Sequence, residues 1–269
     1  MSDSRAVLVT GASRGVGRAV AAAFAARGDR VAIHHRDSAD LAESLRAELP
    51  GQGHAVVRAD LADPAAVATM VDAAAEALGG LDVLVNNAGQ AYPHPITGVT
   101  YAEWQELWAR TLAVNLTGPA NVTYCAVRHM LHRPPGSPPA RVINVGSRGA
   151  YRGEPGQPAY GAAKAGLHAM GQSLAVALAP YRIGVATVAP GYVQEDATNA
   201  AYKVPAAPST PPRARSAGSP APRRSPPPSS GWPTPPPNGP PAPSSTSTAP
   251  PTSADRPPRS SDLPGRRVS

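Results

Sequence analysis

Cysteine is almost absent from this 269-residue sequence, in which Cys125 is the only one. A single cysteine excludes a disulfide within one chain and a metal site built from several cysteines. No apolar run reaches the ~18 residues that a membrane-spanning helix requires. The first residues, Met1–Arg5, also lack the apolar stretch of a secretory signal. We therefore expect a cytoplasmic protein with no membrane segment.

Aromatic residues are scarce as well, at 4% of the sequence with a single Phe, whereas proline occurs 34 times. Of these prolines, 21 lie after Val204, where eight Arg and two Asp give +6 of the formal net charge of +7. The basic character therefore belongs to the C-terminal part of the chain. Such a segment attracts phosphates without selecting a sequence, so we expect no specific nucleic-acid partner.

Strand-like apolar runs alternate with helical patterns up to about Gly191. The predicted strands are Ala6–Thr10, Val31–His34, Ala55–Ala59, Leu81–Asn86, Arg141–Gly146 and Ile183–Ala189. The predicted helices are Val16–Arg27, Ala39–Leu49, Pro64–Leu78, Tyr101–His132 and Ala159–Ala179, the third of them capped by Asp63. This alternation predicts an α/β fold with a doubly wound, Rossmann-like parallel sheet, in a domain that spans residues 1–196.

Residues 197–269 are rich in Pro, Ser and Arg and show no hydrophobic periodicity. One interpretation is a disordered tail, which could serve a partner as a polyproline ligand. The other is a frameshift product that leaves the fold C-terminally incomplete. In a codon register shifted by one base, Pro222–Ser253 can be read as an amphipathic helix followed by a strand, and this restored periodicity favours the second interpretation.

A glycine-rich turn, Thr10–Gly17, joins the first predicted strand to the first helix. Glycines allow a tight turn and a close approach of the backbone to a pyrophosphate, and the helix N-terminus offers free N–H groups to it. The residues expected to bind the phosphates are Gly11, Ser13, Arg14, Gly15, Val16 and Gly17.

The end of the second predicted strand carries no acidic residue that could accept the ribose hydroxyls of NAD. Arg36, together with Arg14, could instead bind a 2′-phosphate, so we expect NADP(H), with NAD(H) as the less favoured alternative. An arginine there could also be an ordinary solvated cation. The neighbouring His34 and His35 are expected at the surface, and His94, His129, His132 and His168 at the surface or on a helix face.

Seven features occur in order at family-like intervals and together resemble the short-chain dehydrogenase/reductase family over residues ~5–193, closest to its 3-oxoacyl-[acyl-carrier-protein] reductase members. They are Thr10–Gly17, Asp60-Leu61, Asn86-Asn87-Ala88-Gly89, Asn115, Ser147, Tyr160-x-x-x-Lys164 and Pro190-Gly191. The resemblance implies cofactor contacts from Asp60, Leu61, Asn87, Ala88, Gly89, Tyr160, Lys164, Pro190 and Gly191. It implies catalytic roles for Ser147, Tyr160, Lys164 and Asn115, the last by holding a water, and no metal.

The chemistry of these residues is consistent with carbonyl reduction. Hydride transfer leaves an alkoxide that needs a proton, and Tyr160 can supply it although a free phenol titrates near ~10. Lys164, one helical turn further on, stabilises the tyrosinate, and Ser147 can hydrogen-bond the substrate oxygen. We expect an NADPH-dependent enzyme that reduces a ketone or a 3-oxoacyl compound, or runs the reverse oxidation. The alternative is an impaired protein that binds the cofactor without turnover.

The sequence departs from the family after Gly191. Glu195 stands where the family usually has a Thr that binds the nicotinamide amide. The family's substrate lid, last helix and seventh strand are not found in this reading frame. The sixth strand would then be an unprotected edge, so we expect low stability and low turnover. A homodimer is compatible with the sequence, whereas a tetramer built on the lost strand is disfavoured.

Overall fold

Six parallel strands form one sheet in the order β3-β2-β1-β4-β5-β6. In chain order, the strands are β1 Ala6–Val9, β2 Arg30–His35, β3 Ala55–Arg58, β4 Val83–Asn86, β5 Ala140–Val145 and β6 Ile183–Val188. The structure is a computed structural model that describes residues 4–191. The predicted boundary at residue 196, the departure at Glu195 and the segment 197–269 lie outside the described residues.

Six α-helices connect or flank the strands: α1 Gly15–Ala25, α2 Ala39–Glu48, α3 Pro64–Leu78, α4 Tyr101–Leu112, α5 Gly118–Leu131 and α6 Pro158–Leu178. Chain order and sheet order reverse between β1 and β4, so the carboxyl ends of these two strands border a crevice. The predicted doubly wound α/β sheet is confirmed, with strand and helix ends within one or two residues of the predicted ones for most elements.

Both faces of the sheet are covered, which explains the nearly continuous apolar strands. Leu8 of β1 and Leu84 of β4 pack with α3 and α5 residues in one buried cluster. Val7, Val9 and Val85 pack with α1 and α2 residues in the cluster on the other face. Side chains of successive strand residues point to opposite faces of the sheet. Because both faces are buried, polar and apolar residues do not alternate along these strands.

The start of α3 follows the predicted capping pattern. The Asp63 carboxylate accepts hydrogen bonds from the N–H groups of Ala65 and Ala66, and Pro64 occupies the first helical position. Gly79 ends the helix with a φ of 71°, in the left-handed region that favours glycine. Local chemistry alone therefore determines both ends of this helix.

The long helix predicted over Tyr101–His132 is interrupted. A π-helical segment, Ala113–Thr117, separates α4 from α5. Just after it, Gly118 lies so close to the β3–α3 connection that an added Cβ would stand 2.8 Å from the Leu61 carbonyl oxygen. π-helical bulges often occur at functional sites, and this one contains the fully buried Asn115.

Strand β6 is at the edge of the sheet that residues 4–191 form, since β5 is its single strand neighbour there. Val188, its last residue, is 48% exposed. Within the described residues this agrees with the expected unprotected edge. None of the described helices combines the length and the apolar character needed to cross a membrane.

Candidate active site

The predicted phosphate turn lies at the crevice between β1 and β4. Gly11 and Gly15 have φ values of 63° and 56°, which L-residues with a Cβ rarely adopt. A Cβ on Gly11 would stand 2.8 Å from the Ala88 Cα, and one on Gly17 would overlap the Gly11 carbonyl oxygen and the Asn87 side chain. The turn therefore needs glycine partly for its own conformation and partly because the end of β4 is so close.

Thr10 and Asn87 tie this turn to the end of β4. The Thr10 hydroxyl accepts hydrogen bonds from the N–H groups of Asn87 (2.9 Å) and Ala88 (3.0 Å). The Asn87 side-chain amide donates to the carbonyl oxygens of Thr10 (2.9 Å) and Gly11 (3.1 Å). Gly89 follows directly, so the N-N-A-G motif forms one wall of the crevice.

The N-terminus of α1 opens into the same crevice. Arg14, the residue before the helix, is exposed and extended, and its side chain makes no capping hydrogen bond. Ser13 is buried, whereas Val16 is only partly buried. A helix end without a side-chain cap is a suitable anion site, because its first N–H groups carry partial positive charge.

The prediction that His34 and His35 lie at the surface is wrong, since they are 2% and 5% exposed. The His34 ring holds the glycine-rich turn through a hydrogen bond from its backbone. Its Nδ1 accepts from the Gly11 N–H at 3.0 Å, and its Nε2 lies 3.1 Å from the Ala59 carbonyl oxygen. Because a carbonyl can only accept, Nε2 carries the proton and the ring is neutral. Burial lowers the pKa of His34 to about 4.

Arg36 lies at the end of β2, at the position expected for recognition of a 2′-phosphate. Its Nε is 2.5 Å from the Asp37 carboxylate, and its Nη1 donates to the Gln90 side chain at 3.3 Å. The side chains of Arg36 and Asp37 are 35% and 62% exposed, so water screens this pair. Asp37, directly after Arg36, offers a ribose hydroxyl a competing acceptor.

Asp60 and Leu61 follow β3 on the same side of the sheet. The exposed Asp60 carboxylate accepts from the Ala62 N–H at 3.0 Å, whereas the Leu61 side chain is buried in the core. After β6, on the opposite side of the sheet from β3, the Pro190 carbonyl oxygen accepts from the Arg148 N–H at 3.1 Å, and Gly191 is exposed. Asp60 and Pro190 thus border the carboxyl edge of the sheet, while Leu61 offers only backbone atoms.

Asn115 fixes the chain that follows the N-N-A-G motif. Its Oδ1 accepts from the Gln90 N–H at 3.1 Å, and its Nδ2 donates to the carbonyl oxygens of Gln90 (2.7 Å) and Thr111 (2.9 Å). The sequence patterns did not single out Gln90, which contacts both Asn115 and Arg36. No periodicity or motif spacing could have revealed it.

Lys164 is 4% exposed and lies beside Tyr160, with its Nζ 5.7 Å from the centre of the phenol ring. Nζ donates to the Val145 carbonyl oxygen at 2.8 Å. Burial lowers the pKa of Lys164 to about 8, so at pH 7 most molecules still carry the charge. This places a buried cation next to the predicted proton donor.

Ser147 follows β5 in a segment that packs against the start of α6. Its hydroxyl accepts from the Gly149 N–H at 3.1 Å, and a Cβ on Gly161 would stand 3.3 Å from the Gly149 carbonyl oxygen. The Lys164 ammonium reaches Val145, two residues before Ser147. The predicted serine, tyrosine and lysine therefore come from two segments in direct contact at the carboxyl end of β5.

Two further histidines are buried against expectation. His94 is 0% and His168 8% exposed. His168 is paired with Tyr151, whose hydroxyl is 2.7 Å from Nδ1, and both line a cavity of about 250 Å³ beside β6. The expectation is confirmed for His132, which is exposed, and His129 lies partly exposed on α5. Both buried rings are held by contacts with residues distant in sequence, which the local pattern does not encode.

The strand order and the glycine turn at a helix N-terminus define a dinucleotide-binding α/β protein. The chain belongs to the short chain dehydrogenase family, whose model matches residues 5–205. It is thus an oxidoreductase of the NAD(P)-dependent dehydrogenase/reductase kind, as the seven sequence features indicate.

Curated relatives of known activity cover most of the matched region. The 3-oxoacyl-[acyl-carrier-protein] reductase FabG of Staphylococcus aureus is 35% identical over 202 residues, which are 74% of this chain and 79% of the relative. The galactitol 2-dehydrogenase of Agrobacterium fabrum is 36% identical over 191 residues, 71% of each chain.

Solved structures with bound cofactor show the same fold. The short chain dehydrogenase from Burkholderia cenocepacia in complex with NADP has a TM-score of 0.63 and 38% identity, covering 72% of this chain and 76% of its own. The 3-oxoacyl-[acyl-carrier protein] reductase from Brucella melitensis in complex with NAD has a TM-score of 0.65 and 35% identity, with the same coverage.

The buried neutral His34 makes folding sensitive to acid. Its pKa of about 4 lies below the 6.5 of an exposed imidazole, so between these values the unfolded chain binds a proton that the folded chain does not. The stabilisation is complete above pH 6.5 and lost as the pH falls towards 4. We expect His34→Asn to reduce this acid-dependent loss of unfolding free energy by about 3 kcal/mol.

Urea denaturation at pH 7, 5.5 and 4.5 measures this difference. His132→Asn, which replaces an exposed histidine, is the control and should follow the wild type. If His34→Asn lost as much unfolding free energy on acidification as the wild type, His34 would not be the source of the acid sensitivity.

Proposed function

We propose that this protein reduces a ketone or 3-oxoacyl-type carbonyl with NADPH, or oxidises the corresponding alcohol. The observation that carries the proposal is the buried Lys164 ammonium 5.7 Å from the Tyr160 ring, in contact with the strand that ends at Ser147. A buried charge costs stability, and a proton-transfer site gives a functional reason to retain it.

Each of these residues has a separate task at the reacting carbonyl. When bound, the reduced nicotinamide supplies the hydride. The Tyr160 hydroxyl donates the proton that the product oxygen needs, and the Lys164 charge stabilises the tyrosinate that remains. The Ser147 hydroxyl, presented by the segment that packs on the start of α6, donates a hydrogen bond to the substrate oxygen.

Asn115 serves the return of the proton. A Cβ on Gly89 would stand 2.8 Å from the Asn115 Oδ1 and 3.5 Å from the Lys164 Nζ, so both groups border the same small space. The Asn115 Nδ2 already donates two hydrogen bonds to backbone carbonyls. Its Oδ1 accepts one and can accept a second, from a water that connects Lys164 to solvent.

The cofactor site fits a dinucleotide phosphate. The uncapped N-terminus of α1 suits the pyrophosphate, and Arg36 can turn from Asp37 to a 2′-phosphate, because exposed ion pairs contribute only ~0–1 kcal/mol. A phosphate accepts bidentate hydrogen bonds from a guanidinium, with Arg14 as a second cation. Asp37 would favour NAD instead, and the solved relatives include one complex with each cofactor.

The activities of two relatives indicate the class of substrate. One reduces a 3-oxoacyl group and another oxidises a sugar alcohol, which are opposite directions of one carbonyl–alcohol conversion. We also propose that residues 1–196 form the catalytic domain and that residues 197–269 lie outside it. A homodimer is the assembly we favour, with the exposed Tyr101, Tyr124 and Leu131 of α4 and α5 as its contact surface.

The direct test is oxidation of NADPH by the full chain with a panel of ketones and 3-oxoacyl thioesters, followed at 340 nm. We expect turnover that Tyr160→Phe lowers by roughly 10²–10⁴-fold, because the proton donor is lost while the ring remains. Tyr181→Phe, which removes an exposed hydroxyl beyond the end of α6, is the matched control. Cofactor binding without oxidation of any substrate would identify an impaired, cofactor-binding protein and refute the proposal.

The preference for NADPH is tested at Arg36. We expect Arg36→Ala to raise the KM for NADPH by about 10- to 100-fold, since one charge-assisted phosphate contact is worth roughly 1.5–3 kcal/mol. The KM for NADH should change little or fall. Arg46→Ala, at an exposed position of α2 paired with Glu43, should leave both values unchanged. If Arg36→Ala raised the KM for NADPH and the KM for NADH equally, Arg36 would contribute to dinucleotide binding in general and not to recognition of the 2′-phosphate.

We expect the buried charge of Lys164 to lower the free energy of unfolding while it enables turnover. Its pKa of about 8 in the folded chain lies below the 10.5 of an exposed lysine, so below pH 8 the fold bears the full cost of the buried charge. We expect Lys164→Met to raise the free energy of unfolding at pH 7 by up to ~3 kcal/mol, reduced by the lost bond to Val145, and to abolish turnover. Thermal unfolding and the NADPH assay measure both effects, and a clear loss of stability would contradict the assignment.

A further inference from the structure

His94 is a buried histidine to which neither the motifs nor the proposed reaction gives a task. It lies on the connection between β4 and α4 and is 0% exposed. Its ring meets the edge of the Trp104 ring at a centroid distance of 5.7 Å and an angle of 70°, and Trp104 in turn packs on Trp108 at 5.6 Å. The two tryptophans of α4 thus hold the imidazole in one orientation.

Both ring nitrogens of His94 bind backbone groups, and these partners determine the tautomer. Nε2 accepts from the Ala159 N–H at 3.1 Å, and Nδ1 lies 2.5 Å from the Tyr92 carbonyl oxygen. Since an N–H can only donate and a carbonyl can only accept, the ring is neutral with its proton on Nδ1. The His94 N–H also donates to the Gly156 carbonyl oxygen at 2.7 Å.

The start of α6 depends on this contact. Gln157 precedes the helix without a side-chain capping bond, and Pro158 has no N–H. Ala159 supplies the first helical N–H, and it would lie buried without a partner if His94 were absent. The imidazole therefore caps α6 from a different part of the chain, one residue before Tyr160.

We propose that His94 is a positioning residue for Tyr160, which it orients by capping the first turn of α6 and by joining that turn to the segment after the N-N-A-G motif. This inference rests on the proposed function of Tyr160. The same segment begins at Gln90, which Asn115 holds through two backbone hydrogen bonds. One continuous stretch, residues 90–94, thus connects the Asn115 side of the site to the helix that carries the phenol.

Two variants separate the two ring contacts. In His94→Gln the side-chain oxygen can reach the position of Nε2 and accept from Ala159, while the bond to Tyr92 is lost. In His94→Asn the shorter amide can still donate to the Tyr92 carbonyl oxygen but cannot reach Ala159. Each variant loses one backbone contact, so the difference between them reports on the helix cap.

We expect His94→Asn to lower kcat about tenfold, a change that corresponds to the roughly 1.4 kcal/mol of a strong helix cap. The Kd for NADPH should stay within about twofold, because the phosphate turn is not touched, and His94→Gln should restore most of kcat. Val71→Ala, a cavity variant in the α3 side of the core, controls for general destabilisation. An equal loss of kcat in the Asn and Gln variants would overturn the proposal.

Hydrogen exchange tests the cap without turnover. Amides 159–162 should exchange about tenfold faster in His94→Asn than in the wild type or His94→Gln, whereas amides 170–178 should not change. Unchanged exchange of the first turn would overturn the cap. A wild type without turnover would refute the proposed function and with it the positioning role, while the exchange result would still decide whether His94 caps α6.

The tautomer provides a test that needs no folded variant. In the ¹⁵N spectrum of the wild type, the His94 ring should show a protonated Nδ1 and an unprotonated Nε2 at neutral pH. The signal is assigned by its coupling across the hydrogen bond to the Ala159 N–H. A protonated Nε2 would exclude acceptance from Ala159 and overturn the proposal.

Discussion

The close approach of the β1–α1 turn to the end of β4 is the constraint on which the site depends. The Thr10 hydroxyl and the Asn87 amide fasten the two segments through four hydrogen bonds between 2.9 and 3.1 Å. No Cβ fits at Gly11 or Gly17, because backbone atoms of the same two segments already occupy that space. This contact keeps the N-terminus of α1 and the segment after Gly89 at one crevice, where a phosphate and a nicotinamide can bind together.

A basic side chain, Lys164, is buried at the opposite side of the crevice. Lys164 donates to the Val145 carbonyl oxygen and is 4% exposed, so its ammonium has exchanged water for a neutral backbone acceptor. His34 is buried as a neutral ring because both its nitrogens bind backbone groups. Both residues are bases, and burial lowers the pKa of each: the pKa of Lys164 stays above pH 7 and the side chain keeps its charge, whereas the pKa of His34 falls below pH 7 and the ring is neutral.

The sequence predicts the parts of this protein that local chemistry determines. Asp63 and Pro64 define the start of α3, and the apolar runs define six strands whose connections allow few topologies. The positions of Tyr160 and Lys164 follow from their spacing of one helical turn. The sequence does not predict the π-helical segment, because Ala113–Thr117 continues the helical pattern on both sides.

Histidine burial could not be predicted for a related reason. A histidine in a strand or loop carries no period, and its solvent exposure depends on which backbone groups the tertiary fold brings to its two nitrogens. His34 meets Gly11 and Ala59, while His94 meets Tyr92 and Ala159, and most of these partners are 23 to 65 residues away in sequence. Gln90 illustrates the same difficulty, since its partners Arg36 and Asn115 are 54 and 25 residues away.

These long-range contacts form a connected set rather than a scatter. Arg36, directly after β2, donates to Gln90, and Gln90 is held by Asn115 in the π-helical segment. Four residues further on, His94 caps the helix that carries Tyr160. Residues 90–94 therefore connect the end of β2, the π-helical segment and the first turn of α6 through contacts between residues 25 to 65 positions apart in the sequence, and this is why no local pattern predicts the stretch.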